Sequence, residues 1–261
     1  MIEADKATRE SLIWVKYWAP NLLSFRTTRD PSFKFAAGQF ARLGLVTQDA
    51  NALEETVWRP YSIVSATRAE FLEFCSVVVP SGQFTRSLVK RELGSSIFVE
   101  KDPYGFLTTD RFATGESLWM IATGTGLAPF VSMLYEPEHW TRFQHLVIVH
   151  SVRYARELAY AEEIKAIAAN FASLPQSAKL HYLPVVTRED VPDALKRRVP
   201  VLLNEGALEY KTGLRLEPAL ARVLLCGNPL MVTEMRKALS IKGFAASRRG
   251  QPGTLAVENY W

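Results

Sequence analysis

Cysteine is scarce. Cys75 and Cys226 are the only two among 261 residues, far apart and outside any Cys-x-x-Cys pair. That excludes a disulfide framework and argues against a thiolate-held zinc or iron–sulfur centre. It also suits a reducing compartment, the cytoplasm. Histidine is equally thin. His139, His145, His150 and His181 fall at no metal-ligand or triad spacing and read as structural, and no GxSxG, HExxH or protein-kinase motif set occurs. Long apolar runs are missing too. Leu127 to Tyr135 comes closest and contains Pro129, well short of the roughly 18 residues a membrane helix needs. Met1 to Glu10 is charged and lacks an apolar core, so it predicts no secretory signal. Like charges never run to five in a row, which excludes a polybasic nucleic-acid tail. Internal repeats and low-complexity tracts are absent.

What remains is ordinary globular material, 48% hydrophobic and 22% charged, with enough apolar side chain to build a core. At about 150 residues per domain the length allows one large domain or two small ones. The net charge is 31 − 27 = +4. Split near residue 112 it is 14 − 13 = +1 before and 17 − 14 = +3 after. A pI near 9.0 with so thin a surplus fits a local basic site for an acidic ligand or partner, not a nucleic-acid surface.

The first hundred residues read as short strands: Ser11–Trp18, Leu22–Thr27, Gln39–Leu45, Arg59–Ser65, Phe71–Val79 and Ser96–Glu100. Pro20, Asp30-Pro31, Gly38, Pro80-Ser81-Gly82 and Gly94 punctuate them, and the spacing predicts a small antiparallel β-barrel. One helix is predicted inside it, Phe84–Glu92. After Asp110 the rhythm changes. Strands Ser117–Ala122, His145–Val152, Leu180–Val186 and Arg222–Cys226 alternate with helices Leu127–Leu134, Ala161–Phe171 and Pro229–Ile241. Alternating β and α predicts a parallel sheet covered by helices, with the domain boundary near Phe112–Gly115.

Five features carry chemistry. Arg59-Pro60-Tyr61-Ser62 lies on a strand, so Arg59 and Tyr61 share a face and Ser62 points the other way. A guanidinium fork matches a pyrophosphate, and an aromatic plate suits a flat heterocycle; a snorkelling Arg beside a core Tyr explains the pair equally well. Gly124-Thr125-Gly126 follows an apolar strand and opens a helix. Its glycines and helical N–H groups suit a phosphate, although the spacing is neither GxGxxG nor a P-loop; a tight strand-to-helix turn is the plain alternative. Cys226-Gly227-Asn228-Pro229 repeats that junction, and two such strand ends in one parallel sheet open onto a shared crevice. Arg153, Arg188 and Arg198 each follow a predicted strand or the segment after it. They suit an extra phosphate, or are three solvated surface cations. The chain ends on Tyr260-Trp261, a pair suited to covering a flat ring or to stapling the terminus to the core.

Arg59-x-Tyr61-Ser62, Gly124-Thr125-Gly126-x-Ala128-Pro129, Cys226-Gly227-Asn228-Pro229 and the final Glu258-x-Tyr260-Trp261, in this order, resemble the ferredoxin/flavodoxin–NADP reductase family. The bacterial type ending in Tyr-Trp is most similar, and Leu118-Trp119-Met120 and His150–Tyr154 also match it. The resemblance implies an FAD-binding β-barrel over 1–112 and an NADP-binding α/β domain over 113–261. It implies that Arg59 holds the FAD pyrophosphate, Tyr61 lies on the isoalloxazine, and Ser62 stands near its N5, with Pro60 between them. Cys75, Ser76 and Val77 form the next FAD-contacting strand, with Cys75 where the family places an aromatic, and Phe84 and Thr85 follow toward the phosphates. Thr125 lies between flavin and nicotinamide, Tyr260 covers the flavin and Trp261 the adenine. Arg153, Arg188 and Arg198 read the NADP 2′-phosphate side, and Gly227, Asn228 and Pro229 line the nicotinamide side.

The implied enzyme passes a hydride from NADPH to FAD and single electrons on to ferredoxin or flavodoxin, with Ser62, Cys226 and Glu258 as catalytic residues. It is expected to be a cytoplasmic monomer that binds neither nucleic acid, metal nor membrane. Two other readings share part of the pattern. An NADH-dependent flavin reductase or oxygenase reductase component usually carries an iron–sulfur domain or an acidic residue in place of the arginines. A non-catalytic flavin-binding regulator is expected to lose Cys226, Glu258 or the terminal aromatics, which are all present.

Overall fold

The structure is a computed structural model and describes residues 6–48, 54–247 and 251–259. The N-terminal part contains β1 (Ala7–Ala19), β2 (Leu22–Thr28), β3 (Phe40–Gln48), β4 (Glu54–Ser62), β5 (Phe71–Val77), helix α1 (Gln83–Leu88) and β6 (Ser96–Glu100). Its six strands form one antiparallel sheet in the order β4-β3-β6-β1-β2-β5. The edge strands meet: Ile63 bridges to Phe74, and the Val64 N–H donates to the Glu73 carbonyl at 2.8 Å. The sheet thus curls into a barrel around Leu12, Phe25, Leu43, Phe74 and Phe84, all buried. The predicted helix over Phe84–Glu92 is shorter. It ends at Leu88, and the N–H groups of Lys90 and Arg91 bond three residues back, tightening the chain into turns.

The C-terminal part contains β7 (Ser117–Thr123), α2 (Ala128–Leu134), α3 (Pro137–Arg142), β8 (His145–Val152), α4 (Ala161–Phe171) and β9 (Lys179–Val186). Then come α5 (Val199–Asn204), α6 (Ala207–Thr212), β10 (Ala221–Gly227), α7 (Pro229–Ile241) and β11 (Leu255–Asn259). The five strands are parallel, in the order β11-β10-β7-β8-β9. Strands covered on both faces read as continuous apolar runs, and β7 divides its run by period two. Leu118 and Met120 pack with Phe130 and Ile164 on one side, whereas Trp119 and Ile121 pack with Leu202 and Met235 on the other. Proline stands in the first turn of both α2 and α7, where a missing N–H costs nothing.

The two parts are stitched by polar contacts. Ser132 Oγ donates to the Ser65 carbonyl at 2.8 Å, and Glu136 accepts from the Thr67 N–H and hydroxyl at 2.9 Å each. The buried Arg222 guanidinium donates to the carbonyls of Ala113, Thr114, Pro218 and Ala221, pinning the connecting segment. Among the described residues no helix is long and apolar enough to cross a membrane.

Candidate functional site

The chain runs β7, β8, β9 outward on one side of the sheet, then returns to place β10 on the other side of β7. That reversal opens a crevice beyond the carboxyl ends of β7 and β10, the usual ligand position in open α/β sheets. Both ends are glycine junctions, and they are packed too tightly for any side chain. A Cβ on Gly126 would lie 2.5 Å from the Cys226 carbonyl oxygen. One on Gly227, whose φ is +127°, would lie 2.2 Å from Thr123 Oγ1. The Asn228 N–H donates to that same hydroxyl at 2.7 Å, while the Asn228 side chain caps α7 by accepting from the N–H groups of Leu230 and Met231. Pro229 follows as the first helical residue. Cys226 is buried on β10 with Ala122 beside it on β7 and Glu258 beside it on β11.

A cavity of about 320 Å³ faces this crevice from the barrel. β4 contributes Arg59, Pro60, Tyr61 and Ser62, β5 contributes Cys75, Ser76 and Val77, and α1 contributes Phe84 and Thr85. Thr125, from the turn after β7, closes it from the parallel-sheet side. All these residues were singled out from sequence. Val79, Gly82 and Ala128 also line the cavity and were not assigned to it. Gly82 carried a signal in the Pro-Ser-Gly turn before α1 and Ala128 in the Gly-Thr-Gly-x-Ala-Pro motif, whereas Val79 carried none. β4 pairs with β3 through Ser62 and the chain bridges to β5 at Ile63, and both Tyr61 and Ser62 belong to the cavity lining.

The chemistry of the wall follows from burial. Tyr61 packs edge-on to Phe25 and against Phe84, with ring centroids 5.8 Å and 5.3 Å away. Its hydroxyl lies 3.1 Å from Ser76 Oγ, and burial pushes the phenol up to about 12. Burial likewise pushes the Cys75 thiol up to about 12, so it stays protonated and inert as a nucleophile. Thr85 Oγ1 accepts from the Val79 N–H at 3.1 Å and so holds the preceding turn. Arg59 is exposed and donates to the Trp58 carbonyl at 2.8 Å. Ser62 Oγ is buried and has no hydrogen-bond partner among the described residues. A buried hydroxyl normally has one, so Ser62 is the unsatisfied polar group of this wall.

The three arginines are exposed. Arg153 and Arg188 stand together at the ends of β8 and β9, the Arg188 N–H donating to the Arg153 carbonyl at 2.9 Å. Arg153 also pairs with Glu157 at 3.2 Å. Arg198 precedes α5 and faces Glu234 of α7 at 3.4 Å. No hydrogen bond or ion pair joins it to the other two among the described residues. Tyr260 and Trp261 lie outside the described residues. His150 is fully buried, with Nδ1 3.3 Å from Tyr182 Oη. Among the described residues no three His, Cys, Asp or Glu side chains group as a metal site.

Residues 120–237 match the family described as "Oxidoreductase NAD-binding domain". Ferredoxin–NADP reductase A of Sorangium cellulosum is 38% identical over 254 residues, 96% of this chain and 89% of that protein. The chain belongs to the ferredoxin–NADP reductase family. The ferredoxin–NADP reductase of Pseudomonas aeruginosa is 36% identical, covering 95% of both chains. A ferredoxin NADP+ reductase from Neisseria gonorrhoeae, solved with bound FAD and NADP, superposes with a TM-score of 0.89 at 35% identity, over 98% of this chain and 99% of that one. A flavohemoglobin from Malassezia yamatoensis shares the reductase fold alone, with a TM-score of 0.76 at 18% identity.

Proposed function

We propose that this reductase binds FAD in the barrel cavity and NADP(H) in the crevice between β7 and β10, and passes electrons from NADPH to ferredoxin or flavodoxin. The observation that carries the reading is the meeting of the two sites at Thr125, on a cavity wall that also presents the unpartnered Ser62 hydroxyl. Residues 1–112 form the FAD-binding domain and 113–261 the NADP-binding domain.

The residues fit the groups assigned to them. Arg59, exposed at the cavity mouth, offers its guanidinium to the FAD pyrophosphate. Tyr61 offers a ring whose hydroxyl is tied to Ser76, so its orientation is set before a ligand arrives. Ser62 offers its hydroxyl to the isoalloxazine. Bound FAD supplies the exchange between two-electron and one-electron chemistry, which no side chain here provides. Gly126 and Gly227 let the ends of β7 and β10 pack backbone against backbone, which forms the crevice floor on which a nicotinamide would lie near Cys226. Glu258, next to Cys226 in the sheet, orients the carboxamide or holds a proton on its carboxylate. Asn228 and Pro229 shape the edge of the same floor, and Arg153, Arg188 and Arg198 take the 2′-phosphate side. The small positive surplus suits an acidic carrier protein met by a cytoplasmic monomer.

The test is an anaerobic titration of the purified yellow protein with NADPH and, separately, NADH. Bleaching of the flavin bands at far lower NADPH than NADH is expected. Equal bleaching by both removes the NADP assignment, and a colourless protein that takes up no FAD removes the whole reading.

A further inference from the structure

After β6 the chain crosses back over the end of the barrel. Tyr104 and Phe40 exchange backbone hydrogen bonds of 2.9 Å and 2.8 Å, and their rings stack with centroids 5.7 Å apart. Gly105 follows with φ +98°, and its carbonyl accepts from the Gln39 side chain at 3.4 Å. A Cβ at position 105 would lie 2.7 Å from Glu258 Oε2 and 3.0 Å from a Phe40 ring carbon. The carboxylate of Glu258 therefore rests against barrel backbone, although its own strand is the outermost of the parallel sheet. Cys226 fixes the Glu258 backbone through the β10–β11 pairing, and Gly105 bounds the far end of its side chain.

A glutamate on a five-residue edge strand has three side-chain torsions to settle, and ordering such a side chain costs conformational entropy. A group that acts in a reaction must be held to about 0.5 Å. We infer that Gly105 is a positioning residue: the space left by its absent side chain seats the Glu258 carboxylate, so the barrel sets where that carboxylate stands over the crevice. The inference rests on the reading of Glu258 as a group of the reaction site.

Gly105 also has a purely local reason to be glycine, its positive φ. The two reasons separate by second-site rescue. Glu258→Asp withdraws the carboxylate by one methylene and removes its contact with a methyl group at 105, while the backbone strain and the Phe40 ring contact of Gly105→Ala stay the same. The experiment compares FAD-loaded wild type, G105A, E258D and the double variant by melting temperature, by kcat and by KM for NADPH with ferricyanide as acceptor. G105A is expected to lower kcat about tenfold with KM changed less than about twofold. In the double variant the two losses are expected to be strongly sub-additive, with about half or more of the G105A loss in melting temperature recovered. Additive losses in melting temperature and multiplicative losses in kcat overturn the seat and leave only backbone strain and the Phe40 contact. Glu258→Ala with unchanged kcat removes Glu258 from the reaction and overturns the positioning role. The melting-temperature cycle then still reports whether the contact exists, which separates the two failures.

Discussion

Tyr160, at the head of α4, donates its phenolic hydrogen to Glu73 Oε1 on β5 at 2.8 Å, joining the parallel-sheet half of the molecule to the barrel. Both residues are buried. Burial raises the Glu73 pKa, whereas the hydrogen bond and charge of Arg26, 2.8 Å away, and the Tyr160 hydroxyl pull it down. Tyr160 adopts φ +64°, unusual for so bulky a residue. Its surroundings hold it there: Ser24 Oγ bonds the same hydroxyl and the Trp18 ring lies 4.8 Å from its own.

Tyr160→Phe leaves Glu73 buried with one partner fewer, so the holoprotein should lose about 1–3 kcal/mol of stability. Urea unfolding followed by tryptophan fluorescence measures this. A loss under about 0.5 kcal/mol means that Arg26 alone satisfies the carboxylate. Because the packed ring is retained, the variant is expected to keep its full FAD content.

Ser62→Ala separates cofactor binding from folding. The hydroxyl has no partner among the described residues, so its removal should leave the apoprotein as stable as wild type or slightly more so. The FAD dissociation constant should rise by about 5–10-fold, one hydrogen bond's worth. Fluorescence titration of apoprotein with FAD reads the second effect and thermal unfolding the first. A destabilised apoprotein with unchanged FAD affinity sinks the assignment of Ser62 to the flavin.

Arg188→Ala combined with Arg198→Ala tests nucleotide choice. Each charge-assisted bond to a phosphate is worth about 1.5–3 kcal/mol, so KM for NADPH should rise by about tenfold or more. KM for NADH, which lacks the 2′-phosphate, should change little. Arg198 is already paired with Glu234, so Arg188 is expected to carry the larger share when the single variants are compared. Equal effects on both nucleotides refute the 2′-phosphate role.

The legible parts of this molecule are those whose side-chain pattern is dictated locally. β7, β8 and β10 are buried on both faces and read as apolar runs. Their glycine junctions announce where backbone must approach backbone. β11 was hidden because Leu255–Asn259 has fewer of the β-branched and aromatic side chains that mark Ser96–Glu100; its pairing with β10 makes it a strand. Helices α3, α5 and α6 have six residues each, too few for a 3.6-residue period to show. Gly105 carried no signal, because the carboxylate that needs its space comes from the other end of the chain.

His150 gives the molecule a pH dependence whose sign is fixed by burial. Desolvation pushes its imidazole down to about 4, from an ordinary value of 6.5, against a smaller opposite pull from the Gly124 backbone. The unfolded chain therefore takes up a proton below 6.5, while the folded protein resists until about 4. Stability from this residue is fully present above pH 6.5 and is lost as pH falls through that window. At 1.36 kcal/mol per unit the loss amounts to about 3 kcal/mol by pH 4. His150→Asn cannot titrate there, and its amide can still meet the Tyr182 hydroxyl. The fall in unfolding free energy between pH 7 and pH 4 should be smaller in the variant by about that amount. Raised Glu73 and lowered His139 and His181 titrate in both proteins and cancel in the comparison. Urea unfolding at the two pH values decides it. Parallel losses in wild type and variant place the acid sensitivity elsewhere, and a larger loss in the variant reverses the sign assigned to His150.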